Sequence, residues 1–157
     1  MRLPPLRVGM APPSREPADA HRSGAPAAAE IAPGIFVGGW AEALTFDGTR
    51  ICVLDEAPGT ELPAEVHVPI YDPVEGRPIR ANLDRVVALA TEFRRRGDRV
   101  LFFCGHGQRR GPLAGAWFLH VVEGLDLDAA YRRIRAVRPR AESYRTWLPD
   151  ASPLVPR

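Results

Sequence analysis

The chain has 157 residues and the composition of a single globular domain, with 45% hydrophobic and 25% charged residues. Wholesale disorder is therefore excluded, and a net charge of +2 does not indicate a nucleic-acid-binding protein. No apolar stretch reaches the roughly 18 residues of a membrane span, and prolines interrupt the amino terminus before a secretory signal could form. We therefore expect a cytoplasmic protein. Two cysteines, Cys52 and Cys104, are too few for a disulfide framework.

The first 30 residues differ in composition from the rest of the chain. They contain seven alanines and six prolines but hardly any large apolar side chains, so they cannot bury enough surface to offset chain entropy. We predict a flexible tail over residues 1–30, a folded domain over residues 31–148 and a short tail over residues 149–157.

Three short strands are predicted early in the domain. Residues 35–37 form an apolar run that ends at two glycines, and residues 50–54 have a similar apolar character. Apolar residues alternate with others along residues 66–70, which is the period-2 pattern of a strand. The next segment, from Tyr71 to Arg80, is predicted to be a loop.

An amphipathic helix is predicted after this loop. Apolar residues recur at steps of three and four along residues 83–93, Asn82 is suited to cap the helix, and Gly97 to end it. The arginines at positions 94–96 are favourably placed at the negative end of the helix dipole.

Two further helices and one strand are predicted in the second half of the domain. Residues 100–103 (VLFF) form the continuous apolar run expected of a strand buried on both faces. A deeply buried helix is predicted over residues 113–122, with Pro112 in its first helical position. A last helix is predicted over residues 127–137, with Asp126 as its cap.

This alternation of strands and helices predicts an α/β domain of three layers, in which helices flank a central, mostly parallel sheet. Ligands of such folds bind at the carboxyl ends of the strands. Cys104 directly follows the most apolar strand and is expected at such an end.

The segment from Cys104 to Arg110 joins the buried strand to the buried helix. It places a thiol at the amino end of a helix, where unpaired N–H groups and the helix dipole attract anions and favour the reactive thiolate. Gly105 and Gly107 allow successive N–H groups to point inward, and the planar fork of Arg110 suits two phosphate oxygens. A nucleophile and a phosphate-binding loop are therefore predicted in one segment.

The sequence FFCGHGQRRGP around Cys104 resembles the signature loop of the cysteine-dependent protein tyrosine phosphatases. Its Arg-x-Pro ending is most similar to the dual-specificity branch of that superfamily. Residues 31–38 resemble the opening strand of that branch, residues 68–72 its general-acid segment and residues 127–139 its last helix. The similarity therefore covers the whole predicted domain.

Carried over to this chain, the resemblance implies Cys104 as nucleophile, Arg110 as phosphate clamp and Asp72 as general acid. It also implies phosphate binding by the intervening loop residues, which are Gly105, His106, Gly107, Gln108 and Arg109. The implied reaction needs no metal and no other cofactor.

Two positions depart from the family pattern. Phe103 stands where the family usually has histidine, and Gly111 stands where it has serine or threonine. The first change removes a polar support of the thiolate, and the second removes a hydroxyl that stabilises the departing sulfur. We expect both to affect turnover more than phosphate binding.

An acid on a loop beside the sheet's carboxyl edge could protonate the leaving group, and Asp72 is the first candidate. Its alternative role is that of an ordinary turn residue before proline. Asp84, inside the amphipathic helix, is the second candidate acid, and Asp55 is the third.

Other polar residues have structural alternatives. Cys52, in a predicted strand, is expected to be a small buried hydrophobe, with a redox partnership to Cys104 as the alternative. His106 and Arg109 either add positive potential around the phosphate site or are merely exposed. His67 and His120 lack metal-ligand spacing and are expected to be structural.

The leading function is hydrolysis of phosphotyrosine, phosphoserine or phosphothreonine in proteins through a phosphocysteine intermediate. One alternative is the same chemistry on a small phosphomonoester such as an inositol phosphate or a lipid head group. A second alternative is a phosphate-binding pseudophosphatase with little turnover. The oligomeric state is not indicated by the sequence.

Overall fold

The central β-sheet places the loop from Cys104 to Arg110 at the edge where its parallel strands end. The computed structural model describes residues 27–56 and 61–144. Its strands, in chain order, are β1 (Ala29–Ala32), β2 (Ile35–Gly38), β3 (Thr49–Cys52), β4 (Val66–His67), β5 (Tyr71–Asp72), β6 (Arg77–Pro78) and β7 (Val100–Phe103). Its helices are α1 (Trp40–Thr45), α2 (Arg80–Arg95), α3 (Arg110–Glu123) and α4 (Leu127–Val137).

Five strands form the sheet, in the order β1-β2-β7-β3-β4. β1 runs antiparallel to β2, and every other neighbouring pair is parallel. The predicted α/β domain with a mostly parallel central sheet is therefore confirmed. β5 and β6 form a separate antiparallel hairpin.

The two faces of the sheet are covered unequally. Helices α2, α3 and α4 pack on one face and form the larger hydrophobic core. The short helix α1 and the segment around Leu62 cover the other face, where a smaller core surrounds Phe103. All four residues of β7 are fully buried, which confirms the prediction of a strand buried on both faces.

The two cysteines lie on opposite faces of this sheet. Cys52 belongs to the smaller core, whereas Cys104 packs in the larger one. Both thiols are free and belong to different cores, which favours the structural role of Cys52 over a redox partnership with Cys104. Burial raises the pKa of the Cys52 thiol, as expected of a structural cysteine.

Three features of the fold differ from the predicted ones: the start of α2, the hairpin of β5 and β6, and helix α1. Helix α2 begins at Arg80, and Asn82 does not cap it, because its side-chain amide donates to the Pro69 carbonyl (2.7 Å). The predicted loop from Tyr71 to Arg80 contains the β5–β6 hairpin. Helix α1 was not predicted, because six residues are too few to show a helical period.

The boundaries of the last two helices, α3 and α4, are closer to the predicted ones. Helix α3 begins at Arg110, so Pro112 is its third residue and not the first as predicted; the helix ends at Glu123 and is capped by Gly124, which has a φ of +73°. Helix α4 has the predicted bounds, and the Asp126 carboxylate accepts a hydrogen bond from the Ala129 N–H.

The predicted tails fall mostly outside the described residues. Strand β1 begins at Ala29, two residues before the expected start of the domain. Residues 1–26 and 149–157 lie outside the described part of the chain. Among the described helices, none is long and apolar enough to cross a membrane.

Candidate active site

A cavity of about 430 Å³ opens at the carboxyl ends of β3 and β7. Its lining residues are almost all from the predicted loop: Leu54, Cys104, Gly105, His106, Gln108, Arg109 and Arg110. The structure therefore gathers the nucleophile candidate, the arginine and most of the loop around one space. Gly107, the remaining residue of the loop, is buried and does not line the cavity.

The loop is shaped by hydrogen bonds to its outward carbonyls. Four successive carbonyls accept hydrogen bonds from groups outside the loop: Gly105 from Trp40 N–H (2.8 Å), His106 from Arg138 Nη2 (3.1 Å), Gly107 from Arg138 Nε (2.9 Å) and Gln108 from Glu142 N–H (2.8 Å). In a trans peptide the N–H points away from the carbonyl. The N–H groups of residues 106–109 therefore point toward the cavity, as an anion site requires.

Two glycines make this path possible. Gly107 has a φ of +70°, and a Cβ there would lie 2.6 Å from the Gly38 carbonyl carbon. A Cβ on Gly39 would lie 2.8 Å from the Gly105 carbonyl oxygen. The loop thus rests directly on the backbone that follows β2.

Cys104 lies at the base of the cavity with only 4% of its surface exposed. Its Sγ accepts a hydrogen bond from the Gly111 N–H (3.3 Å), in the first turn of the 14-residue helix α3. A thiolate there is stabilised by this N–H and by the positive end of the helix dipole. The backbone at position 111 thus supports the sulfur although the residue has no hydroxyl.

Arg110 is held in a fixed orientation by Asp55. Its Nε and Nη2 donate to the two carboxylate oxygens at 2.6 and 2.7 Å, and its guanidinium lies 4.6 Å from the centre of the Tyr71 ring. The side chains of Arg110 and Asp55 are only 18% and 21% exposed. Asp55, the third candidate acid, therefore serves as the partner of the arginine.

Asp72 stands in the hairpin, and its carboxylate is engaged by the turn. Oδ1 accepts hydrogen bonds from the N–H groups of Val74 (2.9 Å) and Glu75 (3.2 Å). It does not line the 430 Å³ cavity, although its neighbour Tyr71 contacts Arg110. The geometry thus shows the turn role, and the role of general acid stays a prediction.

Asp84, the second candidate acid, has a structural partner. Its Oδ1 accepts a hydrogen bond from Trp117 Nε1 (2.8 Å), and Arg80 lies over the same indole ring. Trp117 and Phe118 are buried in the core, as predicted. The hydrogen bond to Trp117 gives Asp84 a structural role in place of a catalytic one.

The remaining polar candidates divide into loop and framework residues. His106 and Arg109 line the cavity and are exposed, and Arg109 approaches Glu142 at 3.7 Å. His67 donates to the Leu54 carbonyl (2.9 Å), and His120 donates to the Leu125 carbonyl (2.6 Å), so both histidines have structural partners. Within the described ranges, no three metal-ligating side chains cluster.

The sequence has clear relatives among named phosphatases. No protein-family model matches it. It is 32% identical to dual specificity phosphatase 28 of Homo sapiens over 141 residues, which cover 80% of this chain and 79% of the relative. It is 31% identical to the Mus musculus protein of the same name, over 74% of this chain and 77% of the relative. This chain belongs to the dual-specificity phosphatase family.

Solved structures agree with this family assignment. The crystal structure of human DUSP28 matches 79% of this chain and 89% of its own, with a TM-score of 0.66 and 25% identity. The crystal structure of Tk-PTP in the active form matches 79% of this chain and 92% of its own, with a TM-score of 0.65 and 25% identity. The chain is therefore a cysteine-dependent protein phosphatase, and its substrates are phosphorylated.

Several residues that shape the phosphatase site were missed by sequence reasoning. Glu42, Arg138 and Glu142 contact the loop or each other from α1 and from the segment that ends α4. Glu42 stands three residues after Gly39 at the start of α1, the spacing of a capping box, whereas Arg138 and Glu142 stand in no such local pattern. Asp55 was considered only as an acid, because its pairing with Arg110 spans 55 residues of chain.

Proposed function

We propose that Cys104 is the nucleophile of a two-step phosphomonoester hydrolysis. Its thiolate attacks phosphorus while the ester P–O bond breaks, and the departing oxygen takes a proton from an acid. Water then attacks the phosphocysteine, the S–P bond breaks, and inorganic phosphate and the thiolate are released. The observation that carries this proposal is the set of N–H groups at residues 106–109, which face one cavity with Cys104 at its base.

Arg110 is the proposed clamp of the transferring phosphoryl group, because its planar guanidinium suits two phosphate oxygens. Asp55 accepts hydrogen bonds from the Nε and Nη2 of Arg110 at 2.6 and 2.7 Å, beside the cavity that the arginine lines. Because Asp55 also fixes the guanidinium plane, little side-chain entropy is lost when phosphate binds.

Asp72 is proposed as the acid that protonates the leaving oxygen, supported by the adjacent Tyr71–Arg110 contact. To act, its carboxyl group exchanges the turn N–H groups for the leaving oxygen, which a movement of the exposed hairpin allows. The same carboxylate then accepts a proton from the attacking water.

The substrates proposed are phosphotyrosine and phosphoserine or phosphothreonine in proteins, and the site of action proposed is the cytoplasm. The cavity volume of about 430 Å³ leaves room for a phosphorylated side chain. The exposed His106 and Arg109 on its rim supply polar contacts for groups next to the phosphate.

The decisive experiment is hydrolysis of p-nitrophenyl phosphate and of phosphotyrosine and phosphothreonine peptides by the purified full chain. We expect turnover of all three that orthovanadate inhibits. Vanadate binding without measurable turnover would contradict the enzyme and favour a pseudophosphatase, and a failure to bind vanadate would contradict the phosphate site itself.

We expect Arg110→Lys to lower kcat/KM by about 10- to 150-fold, because a point charge cannot replace hydrogen bonds made by a planar fork to charged partners. The matched control is Arg133→Lys, since Arg133 lies on α4, is 43% exposed, pairs with Glu123 at 2.9 Å and does not line the cavity. We expect a change of less than about 3-fold for the control. Similar losses in both variants, measured on p-nitrophenyl phosphate, would contradict the clamp.

We expect breakdown of the phosphocysteine to limit turnover, because Gly111 has no hydroxyl to stabilise the departing sulfur. A burst of p-nitrophenol approaching one equivalent of enzyme should then precede the steady state in stopped-flow measurements. Gly111→Ser should raise the steady rate by up to about 10- to 150-fold, the effect of one hydrogen bond to a charged group.

The control for this experiment is Gly111→Ala, because any side chain at position 111 is tightly packed. A Cβ there would lie 3.2 Å from the Gly38 carbonyl oxygen, 3.3 Å from that of Phe102 and 3.7 Å from Cys104 Sγ. The alanine variant therefore measures the packing cost without the hydroxyl. If no burst occurs and serine gains nothing over alanine, the first chemical step limits turnover.

A further inference from the structure

We propose that Arg138 and Glu42 are positioning residues that hold the phosphate loop in its anion-binding shape. This inference rests on the proposed function of the Cys104 loop. Neither side chain lines the catalytic cavity. They act on it from behind, through the carbonyl groups of the loop.

Arg138 contacts two successive peptides of the loop with two different nitrogens. Its Nε donates to the Gly107 carbonyl (2.9 Å), and its Nη2 donates to the His106 carbonyl (3.1 Å). These two carbonyls belong to the peptides whose N–H groups are those of Gly107 and Gln108. Binding the carbonyls outside the cavity therefore turns both N–H groups into it.

Glu42 completes the arrangement by joining Arg138 to the backbone after β2. Its Oε2 accepts from Arg138 Nη2 (3.3 Å), and its Oε1 accepts from the Gly39 N–H (2.7 Å). The two side chains are only 9% and 16% exposed, for Glu42 and Arg138 respectively. A charge this buried needs a charged or hydrogen-bonded partner, and each residue supplies one to the other.

The Arg138 guanidinium also packs directly against the loop at Gly107. A Cβ at Gly107 would lie within van der Waals overlap of the Arg138 guanidinium and of the Gly38 backbone. The guanidinium thus fills the space directly behind the loop. Without it, the His106 and Gly107 carbonyls lose their donors, and rotation of either peptide would direct a carbonyl oxygen toward the bound phosphate.

Such a rotation would weaken oxyanion binding and raise the barrier to phosphoryl transfer, because the loop N–H groups contact the phosphate in both the ground state and the transition state. A residue that only stabilises the fold would instead change the melting temperature and leave the vanadate inhibition constant of the folded enzyme unchanged. The two roles are therefore separable by measurement.

The experiment compares the inhibition constant of orthovanadate, kcat and KM, and the melting temperature for the full chain and its variants. For Arg138→Met we expect an inhibition constant raised by about 100-fold, the scale of an ångström-sized misplacement, with a lower kcat and a higher KM. Arg138→Lys keeps the charge but not the two separate donors, so we expect a loss of about 10-fold. Glu42→Gln, which keeps the acceptor for Gly39 N–H, should raise the constant several-fold.

The matched control is Arg133→Met on α4, the helix that Arg138 directly follows, because Arg133 makes a surface ion pair with Glu123 (2.9 Å) and is 43% exposed. We expect its vanadate inhibition constant to equal that of the unaltered protein. If Arg138 and Glu42 act as one unit, the vanadate inhibition constant of the Arg138→Met/Glu42→Gln double variant will be no higher than that of Arg138→Met alone.

An unchanged inhibition constant in both Arg138→Lys and Glu42→Gln would overturn the proposal, whether or not Arg138→Met folds. Absence of vanadate inhibition in the unaltered protein would instead contradict the proposed function. The two failures are thus distinguishable in the same set of measurements.

Discussion

A Cys104→Ser variant is expected to lose at least about 10⁴-fold in kcat while it still binds orthovanadate or phosphate. Serine is close in size to cysteine, so the inward N–H groups of residues 106–109 keep their arrangement. The hydroxyl is not ionised near neutral pH and is a poor nucleophile without an adjacent base. Steady-state hydrolysis of p-nitrophenyl phosphate and calorimetric titration with phosphate measure the two properties separately.

The control for this variant is Cys52→Ser, on the opposite face of the sheet. Cys52 is fully buried in the smaller core, so its replacement should lower stability and leave kcat of the folded enzyme near its original value. Iodoacetate should likewise alkylate Cys104 much faster than Cys52, because burial raises the pKa of the latter. Normal turnover in Cys104→Ser would exclude the phosphocysteine mechanism.

Replacing Asp72 with asparagine is expected to lower kcat by about 10²- to 10⁴-fold on alkyl phosphates. Aryl phosphates with good leaving groups need little protonation, so p-nitrophenyl phosphate should be affected far less. The measurement is the dependence of kcat on the leaving-group pKa across a series of substrates. Asparagine keeps the side-chain oxygen that accepts the Val74 and Glu75 N–H groups, so the turn itself should persist.

Asp84→Asn is the control for the acid. Asparagine keeps the oxygen that accepts from Trp117 Nε1 but removes the charge that strengthens this hydrogen bond, so we expect a slightly lower melting temperature and an unchanged dependence on the leaving group. Equal losses on alkyl and aryl phosphates in Asp72→Asn would assign the proton transfer to another residue.

Elements with strong local patterns were predicted well from the sequence. Strand β7 and helix α4 have the predicted bounds, because a fully apolar tetrapeptide and a capped amphipathic segment are determined by neighbouring residues. Short strands were harder: β4 has two residues where five were predicted, since pairing with a neighbouring strand decides where a strand ends. The hairpin of β5 and β6 depends on the same kind of pairing.

The candidate loop, its cysteine and its arginine were determined by the sequence itself, because a buried strand, two glycines and a helix start follow one another along a single segment. The tertiary structure alone decided what holds that loop. Arg110 pairs with a carboxylate 55 residues away, and Arg138 meets Glu42 across 96 residues. Such pairs leave no period or spacing in the sequence, because a charged side chain finds its partner only after the sheet and helices have brought distant segments together.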